Sequence, residues 1–236
     1  MALPKLNAAP KFELAVPSTG KKVRYRPFLV KEEKNLMIAA ESGDNTSVFR
    51  TLIDTISSCV EDDINKNKLT TFDIEYMFLK MRAKSVGETS RVGVKCAECE
   101  TSNEQEIRID KLEIDMPDIE TTVELTPGIS VELQWPAFND LISIGMVEGQ
   151  NPSTEQAFTM IRACLKTIVT EEERINVSDV PEAEVQEFIE SMSSAQFESI
   201  KTFIDSVPKL QHEVDFKCKN CGHDNKVLIE GVASFL

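Results

Sequence analysis

The chain opens with alternation. Phe12, Leu14 and Val16 recur at every second position, "PSTG" interrupts at Pro17–Gly20, and Val23 and Tyr25 resume the pattern. A two-residue apolar period puts side chains on one face of a strand, so these segments predict a β-hairpin, ended by Pro27. Beyond Pro27 the period lengthens. Val30, Leu36, Met37 and Ala40 predict a helix over Val30–Ala40, stopped by "SGDN", with that stripe turned inward. Val48, Leu52, Ile56 and Val60 repeat every four residues and predict a second helix over Ser47–Val60. A third begins at Thr70 or Thr71, either of which can cap it. Asp73 sits favourably at its positive end, and the helix buries Phe72, Tyr76, Met77 and Leu79 on its way to Ala83.

Alternation then returns. "RVGVKCAECETSNEQEIRI" reads as strand, tight turn, strand, and "TTVELTPGISVELQW" as a second hairpin turning at "TPG". After Pro136, Phe138, Leu141, Ile142 and Met146 form one helical face. Ser153 and Gln156 make a capping box that opens a helix predicted to reach Val169. "INVSDVP" reads as a loop. Helices follow over Glu182–Met192 and Ser194–Val207, and the chain closes on strand, turn, strand around Cys218 and Cys221. Helical runs segregated from strand runs argue an α+β fold rather than a parallel α/β sheet. The expected organisation is an N-terminal hairpin with helices (1–88), a β-rich block made from 89–135 and 208–236, and a helical region inserted between its halves (136–207). No low-complexity segment or solenoid period is present.

Four of the six cysteines form two pairs in similar surroundings. "VGVKCAECETSNEQEIRI" and "VDFKCKNCGHDNKVLI" each run strand, Lys, Cys-x-x-Cys, polar stretch, strand. Each turn offers two sulfurs on one side of a hairpin tip, and two such turns supply the four thiolates that tetrahedral zinc prefers. Cys96, Cys99, Cys218 and Cys221 are therefore the candidate ligands of a structural zinc in a zinc-ribbon-like block. Gly222 after the second pair can take a positive φ, whereas Glu100 stands at the equivalent place in the first. Between Cys99 and Cys218 lie 118 residues, against roughly 15–20 in the usual four-cysteine spacing. A metal can close so long a loop because closure entropy grows slowly with length. Reduced cysteines without metal, or a site using one pair, are the other readings. A thioredoxin-like redox pair does not fit, because both pairs precede strand patterns rather than open a helix. His212 and His223 are substitute ligands in principle but read as ordinary loop or surface residues. Four thiolates leave no position for water or substrate, so such a site argues for architecture rather than hydrolysis.

Charge refines the picture. The 236 residues carry a net −14, which disfavours nucleic-acid phosphate as a partner. Residues 1–34 hold eight Lys/Arg against three Glu, a net +5, and the remainder is −19. A solvated basic strand pair explains this; a basic arm that docks on a partner or a second copy is the sharper reading. There is no apolar run of signal-peptide length near the start, and no stretch approaches the roughly 20 apolar residues of a membrane span. The expectation is a soluble intracellular protein with reduced cysteines.

Candidate catalysts are weak. "STGKK" at Ser18–Lys22 resembles the end of a phosphate-binding loop but lacks the first glycine and lies in a hairpin turn. The acidic runs Glu171–Glu173 and Asp62–Asp63 have no accompanying base or metal motif and read as solvated faces. The apolar helix stripes read mostly as core; one of them as a groove for a partner helix is the other reading, and sequence alone does not separate the two. No catalytic residue is assigned, and no enzymatic activity is expected.

The opening "LPKLNAAPKFELAVPSTGKKVRYRPFLVKEEKNLMIAAES" resembles the start of the baseplate hub subunit, or hub assembly protein, family of T-even-type contractile-tailed bacteriophages. The resemblance is carried by Pro17, Ser18, Gly20 and Lys21, then by Tyr25, Arg26, Pro27, Phe28, Leu29, Val30, Lys31, Glu32, Glu33 and Lys34, after a leading Leu3–Pro4. It implies a viral protein made in the host bacterial cytoplasm and needed to build the central hub of the tail baseplate, without enzymatic activity. Two roles fit: an assembly chaperone that binds hub or tape measure proteins, or a permanent component of the hub in the virion. A zinc-ribbon adaptor unrelated to phage is the reading without the resemblance.

Overall fold

The computed structural model describes residues 10–144 and 153–235. Met146 and the Leu3–Pro4 pair lie outside the described residues. The fold is mixed α and β, in two compact units. Unit 1 comprises Met1–Lys66, Phe72–Asp115 and Lys209–Leu236, and unit 2 comprises Asn67–Thr71 and Met116–Pro208. Among the described residues no helix is long and apolar enough to cross a membrane.

Unit 1 begins with the antiparallel hairpin β1 (Phe12–Ala15) and β2 (Lys22–Tyr25). Its alternation buries Leu14, Val16, Val23 and Tyr25. Three helices follow: α1 (Val30–Glu41), α2 (Asn45–Cys59) and α3 (Thr71–Ser85). Asp44 caps α2 by accepting the backbone N–H groups of Thr46 and Ser47. The helix α3 is buried on nearly every side, from Phe72 through Met77, Phe78 and Leu79 to Ala83, as expected of a core helix. Its Asp73 is fully buried and accepts both the backbone N–H (2.8 Å) and the hydroxyl (2.7 Å) of Ser18. The "STG" turn is thus anchored to the start of α3.

The inward face of α1 is not the one its apolar spacing suggests. Val30 is 79% exposed, Met37 61% and Ile38 55%, while Glu32 and Ala39 are buried. The reason lies in Glu32. Its carboxylate accepts the Leu29 backbone N–H at 2.9 Å and pairs with Arg26 at 3.0 Å. Burial pushes the Glu32 carboxyl up, but the hydrogen bonds from Arg26, Leu29 and Lys31 outweigh it and hold the group below its ordinary range. A helix whose first turn is fixed by a buried, neutralised acid takes its phase from that acid. Basic residues of the hairpin are likewise paired within unit 1: Lys11 with Glu61, Lys22 with Glu13 and Arg24 with Asp62.

Two further hairpins complete unit 1: β3 (Thr89–Lys95) with β4 (Ser102–Arg108), and β9 (Gln211–Lys217) with β10 (Asp224–Glu230). The end of the chain ties them to the helices. The Val232 N–H donates to Glu75 of α3 at 3.0 Å, and the Ser90 hydroxyl donates to the Phe235 carbonyl at 2.9 Å.

Unit 2 holds a four-stranded antiparallel sheet in the order β5 (Thr122–Thr126), β6 (Ile129–Leu133), β7 (Leu165–Val169) and β8 (Arg174–Asn176). Helices α4 (Phe138–Ile144), α5 (Thr154–Cys164), α6 (Glu182–Glu190) and α7 (Ser194–Asp205) complete it. Val131, Leu133, Ile161, Leu165, Ile168, Val185, Ile189, Ile200 and Phe203 share one core, with Trp135 stacked on Phe203 at 4.2 Å. The capping boxes at Ser153/Gln156 and Ser193/Gln196 are both formed. Three expectations change here. The "INVSDVP" segment is not a loop throughout, because Ile175 and Asn176 pair with β7 as part of β8 and Val177–Asp179 form a 3-10 turn. The helix from Ser153 stops at Cys164, because the β-branched run Thr167–Ile168–Val169 belongs to strand β7, paired with both β6 and β8. The Thr122–Leu133 hairpin joins this sheet through β7 rather than the cysteine hairpins.

Arg26→Met leaves the buried Glu32 without its guanidinium. The expected loss at neutral pH is about 2–3 kcal/mol by urea denaturation, below the range for fully buried pairs because Arg26 is partly exposed. Glu32 is depressed in the fold, so its contribution is present above its ordinary value of 4.5 and fades as pH falls through the folded value. The gap between the variant and the parent chain therefore narrows in acid.

Candidate metal centre

The strand period delivers the cysteines. In β3 the alternation that buries Ser90, Val92 and Val94 continues one step to bury Cys96. In β9 the run Val214, Phe216, Cys218 does the same. Each chain then turns tightly. The Glu100 N–H donates to the Cys96 carbonyl and the Gly222 N–H to the Cys218 carbonyl, both at 3.0 Å. The Cys96 N–H donates to the Thr101 carbonyl at 3.0 Å, and the Cys218 N–H to that of His223 at 2.8 Å. Glu100 and Gly222 hold the equivalent left-handed conformation, with φ of 55° and 74°. The turn geometry is therefore the same in both hairpins, although only one has the glycine that suits it.

The four sulfurs converge. All lie within 4.8 Å of one another. Cys96 Sγ is 3.6 Å from Cys221 Sγ, and Cys99 Sγ is 3.6 Å from Cys218 Sγ. A tetrahedron with metal–sulfur bonds of about 2.3 Å places its sulfurs about 3.8 Å apart; two of the sulfur pairs are near that spacing and the whole set lies within 4.8 Å, so these residues could hold a metal ion. Cys96 and Cys218 are buried, Cys99 is half-buried and Cys221 is exposed.

The surroundings stabilise thiolate. Cys99 is lowered to about 6, first by the hydrogen bond with the Thr101 hydroxyl (3.3 Å), then by the Thr101 backbone and the Asn220 carboxamide. Cys218 is also lowered, first by the Cys221 backbone N–H. Cys221 receives the His223 backbone N–H, but the neighbouring sulfurs resist further negative charge and push it up to about 12. A cation among the sulfurs would remove that opposition. Neither His212 nor His223 joins the cluster among the described residues. Cys59 and Cys164 are buried elsewhere, and burial pushes both thiols up, Cys164 to about 12.

Two residues of the centre escape a reading for ligand types: Asn103 of β4 and Asn225 of β10, each four positions beyond the second cysteine of its pair. The signal was present. Aligned at an offset of 122 residues, Val92–Ile107 and Val214–Ile229 match without a gap, and the asparagines coincide.

Glu100 supports a test of the turn geometry. Glu100→Gly relieves a left-handed non-glycine residue, and the expected gain is about 0.5–1 kcal/mol by thermal or urea unfolding. A loss of that size would show that the Glu100 side chain contributes more than its backbone strain costs.

Comparison with known proteins follows the same lines as the opening motif. The family model described as "T4 bacteriophage base plate protein" matches residues 9–236. The baseplate hub assembly protein gp26 of Enterobacteria phage T4 is 25% identical over 226 residues, covering 95% of this chain and 96% of that protein. No solved structure matches. With a family match that runs through the opening motif, both cysteine hairpins and everything between them, the chain belongs to the T4-type bacteriophage base plate protein family.

Proposed function

We propose that this protein is a non-enzymatic tail-assembly factor that acts in formation of the baseplate hub, as a chaperone for hub or tape measure proteins. The observation that carries the reading is the family match over residues 9–236, joined by a relative named as a hub assembly protein that aligns over 95% of the chain. Family membership sets aside an adaptor unrelated to phage. The protein acts in the host bacterial cytoplasm during assembly, through protein–protein contacts with other baseplate proteins.

In the same proposal, Cys96, Cys99, Cys218 and Cys221 hold one structural zinc, and the two turns are its zinc knuckles. The convergence of the sulfurs within 4.8 Å supports this, as does the all-thiolate donor set, which favours zinc over hard cations. When bound, zinc supplies a fixed tetrahedral cross-link and no open position for chemistry. The chain's own groups hold the thiolates in place through the Thr101, Asn220 and His223 contacts.

Two measurements test the two parts. Elemental analysis of purified protein is expected to give about one zinc per chain, and a chelator or Cys218→Ser to lower the unfolding midpoint, because structural zinc contributes directly to folding. Less than about 0.3 zinc per chain, with no loss of stability in Cys218→Ser, would overturn the metal reading. For the role, affinity capture from infected cells is expected to recover hub or tape measure proteins, with the protein absent from purified virions. Its presence in virions would establish a permanent hub component instead.

A further inference from the structure

We infer that Asn103 and Asn225 are reciprocal positioning residues of the metal centre, each hairpin's asparagine holding the cysteine turn of the other. The inference rests on the metal reading proposed above.

The bonds form two equivalent sets. Asn225 Oδ1 accepts the Ala97 backbone N–H at 2.9 Å, inside the first cysteine turn. Asn103 Oδ1 accepts the Lys219 backbone N–H at 2.9 Å, inside the second. Asn225 Nδ2 lies 3.5 Å from Cys96 Sγ, and Asn103 Nδ2 lies 3.7 Å from Cys218 Sγ. The same Nδ2 groups donate to each asparagine's own turn, to the His223 carbonyl at 2.9 Å and the Thr101 carbonyl at 2.7 Å. Every contact of one set has its counterpart 122 residues away.

A carboxamide suits this position for a specific reason. It has one acceptor and two donors in a plane, and here the acceptor and both kinds of donor contact are in use. The asparagines stand opposite Val94 and Phe216 in their hairpins, on the buried faces that also carry Cys96 and Cys218. They are only 3% and 6% exposed, and burying two amides is tolerable because their polar atoms find partners. Aspartate would keep the acceptor but lose the donors and set a negative charge beside a thiolate. Serine cannot span both contacts. Of the four sulfurs, the two buried ones, Cys96 and Cys218, receive the N–H groups of Asn225 and Asn103, while the half-buried Cys99 receives that of Asn220 at 3.7 Å. N–H donors to metal-bound sulfur orient the ligand and stabilise its charge. The arrangement is also obligately mutual: neither cysteine turn is fully held until the other hairpin is in place.

The test compares metal affinity and cobalt charge-transfer spectra in the protein. The variants are Asn103→Asp, Asn225→Asp and, should either fail to fold, Asn103→Ser and Asn225→Ser. The core variant Leu52→Ala, in α2 of the same unit and away from the cysteine hairpins, is the control for general destabilisation. Zinc affinity by chelator competition is expected to fall about 10–100-fold in each asparagine variant. The sulfur-to-cobalt charge-transfer bands of the Co(II)-loaded protein should shift in the same variants. Leu52→Ala is expected to lower the unfolding midpoint while leaving the bands in place. In the unaltered protein, the side-chain amide protons of Asn103 and Asn225 should shift and exchange more slowly on metal loading. Asparagine variants with unaltered affinity and unaltered cobalt bands would overturn the positioning role while leaving the metal site intact. A parent protein that takes up neither zinc nor cobalt would overturn the metal reading itself, and this inference with it.

Discussion

Unit 1 depends on one convergence: two hairpins far apart in the chain meet at four sulfurs. The chain leaves this unit at Asp115 and re-enters it at Lys209. Between those points it builds another core, centred on residues such as Ile161, Ile189 and Phe203. Bringing the last hairpin back costs loop-closure entropy, but that cost rises only logarithmically with length. Contacts that secure the return are the Glu75–Val232 and Ser90–Phe235 hydrogen bonds and the paired cysteine turns. Each belongs to a buried or nearly buried face, where a polar group must find its partner or forfeit its hydration.

Much of this was legible in the sequence because the responsible signals are local. The hairpin at Phe12–Tyr25, the cap at Ser153 and the Cys-x-x-Cys turns each announce themselves within a few residues. What misled the reading was tertiary. Ile161, Leu165 and Ile168 satisfy a helical period, yet Leu165 and Ile168 belong to a strand, since β7 is held between β6 and β8. On α1, Val30 and Met37 have the right spacing for a buried stripe, but Glu32 takes the inward position because Arg26 reaches it from outside the helix. Nothing in a hydropathy pattern marks a buried acid whose partner lies six residues upstream.

The candidate centre divides the same way. Its four sulfurs are found by residue type and spacing. Asn103 and Asn225 are not, because an asparagine near a turn is ordinary turn composition. Only the gapless alignment of the two hairpins, at equivalent positions and with the same burial, distinguishes them. The alignment also explains why Glu100 adopts a left-handed conformation without glycine. The same backbone hydrogen bonds close both turns, and the residue at that place accommodates.

This topology bears on how a base plate protein of this kind folds. During synthesis the first cysteine pair emerges long before the second, and N-terminal segments fold first where they can. Unit 1 cannot close by that route, because Cys218, Cys221 and Asn225 all come after the insertion. Until they arrive, Cys96 lacks the Asn225 carboxamide, the Ala97 N–H lacks its acceptor, and the fully buried Ser90–Phe235 bond is absent. Completion of unit 1 is therefore coupled to synthesis of the last hairpin. The four sulfurs come within 4.8 Å of one another only once both hairpins are in place.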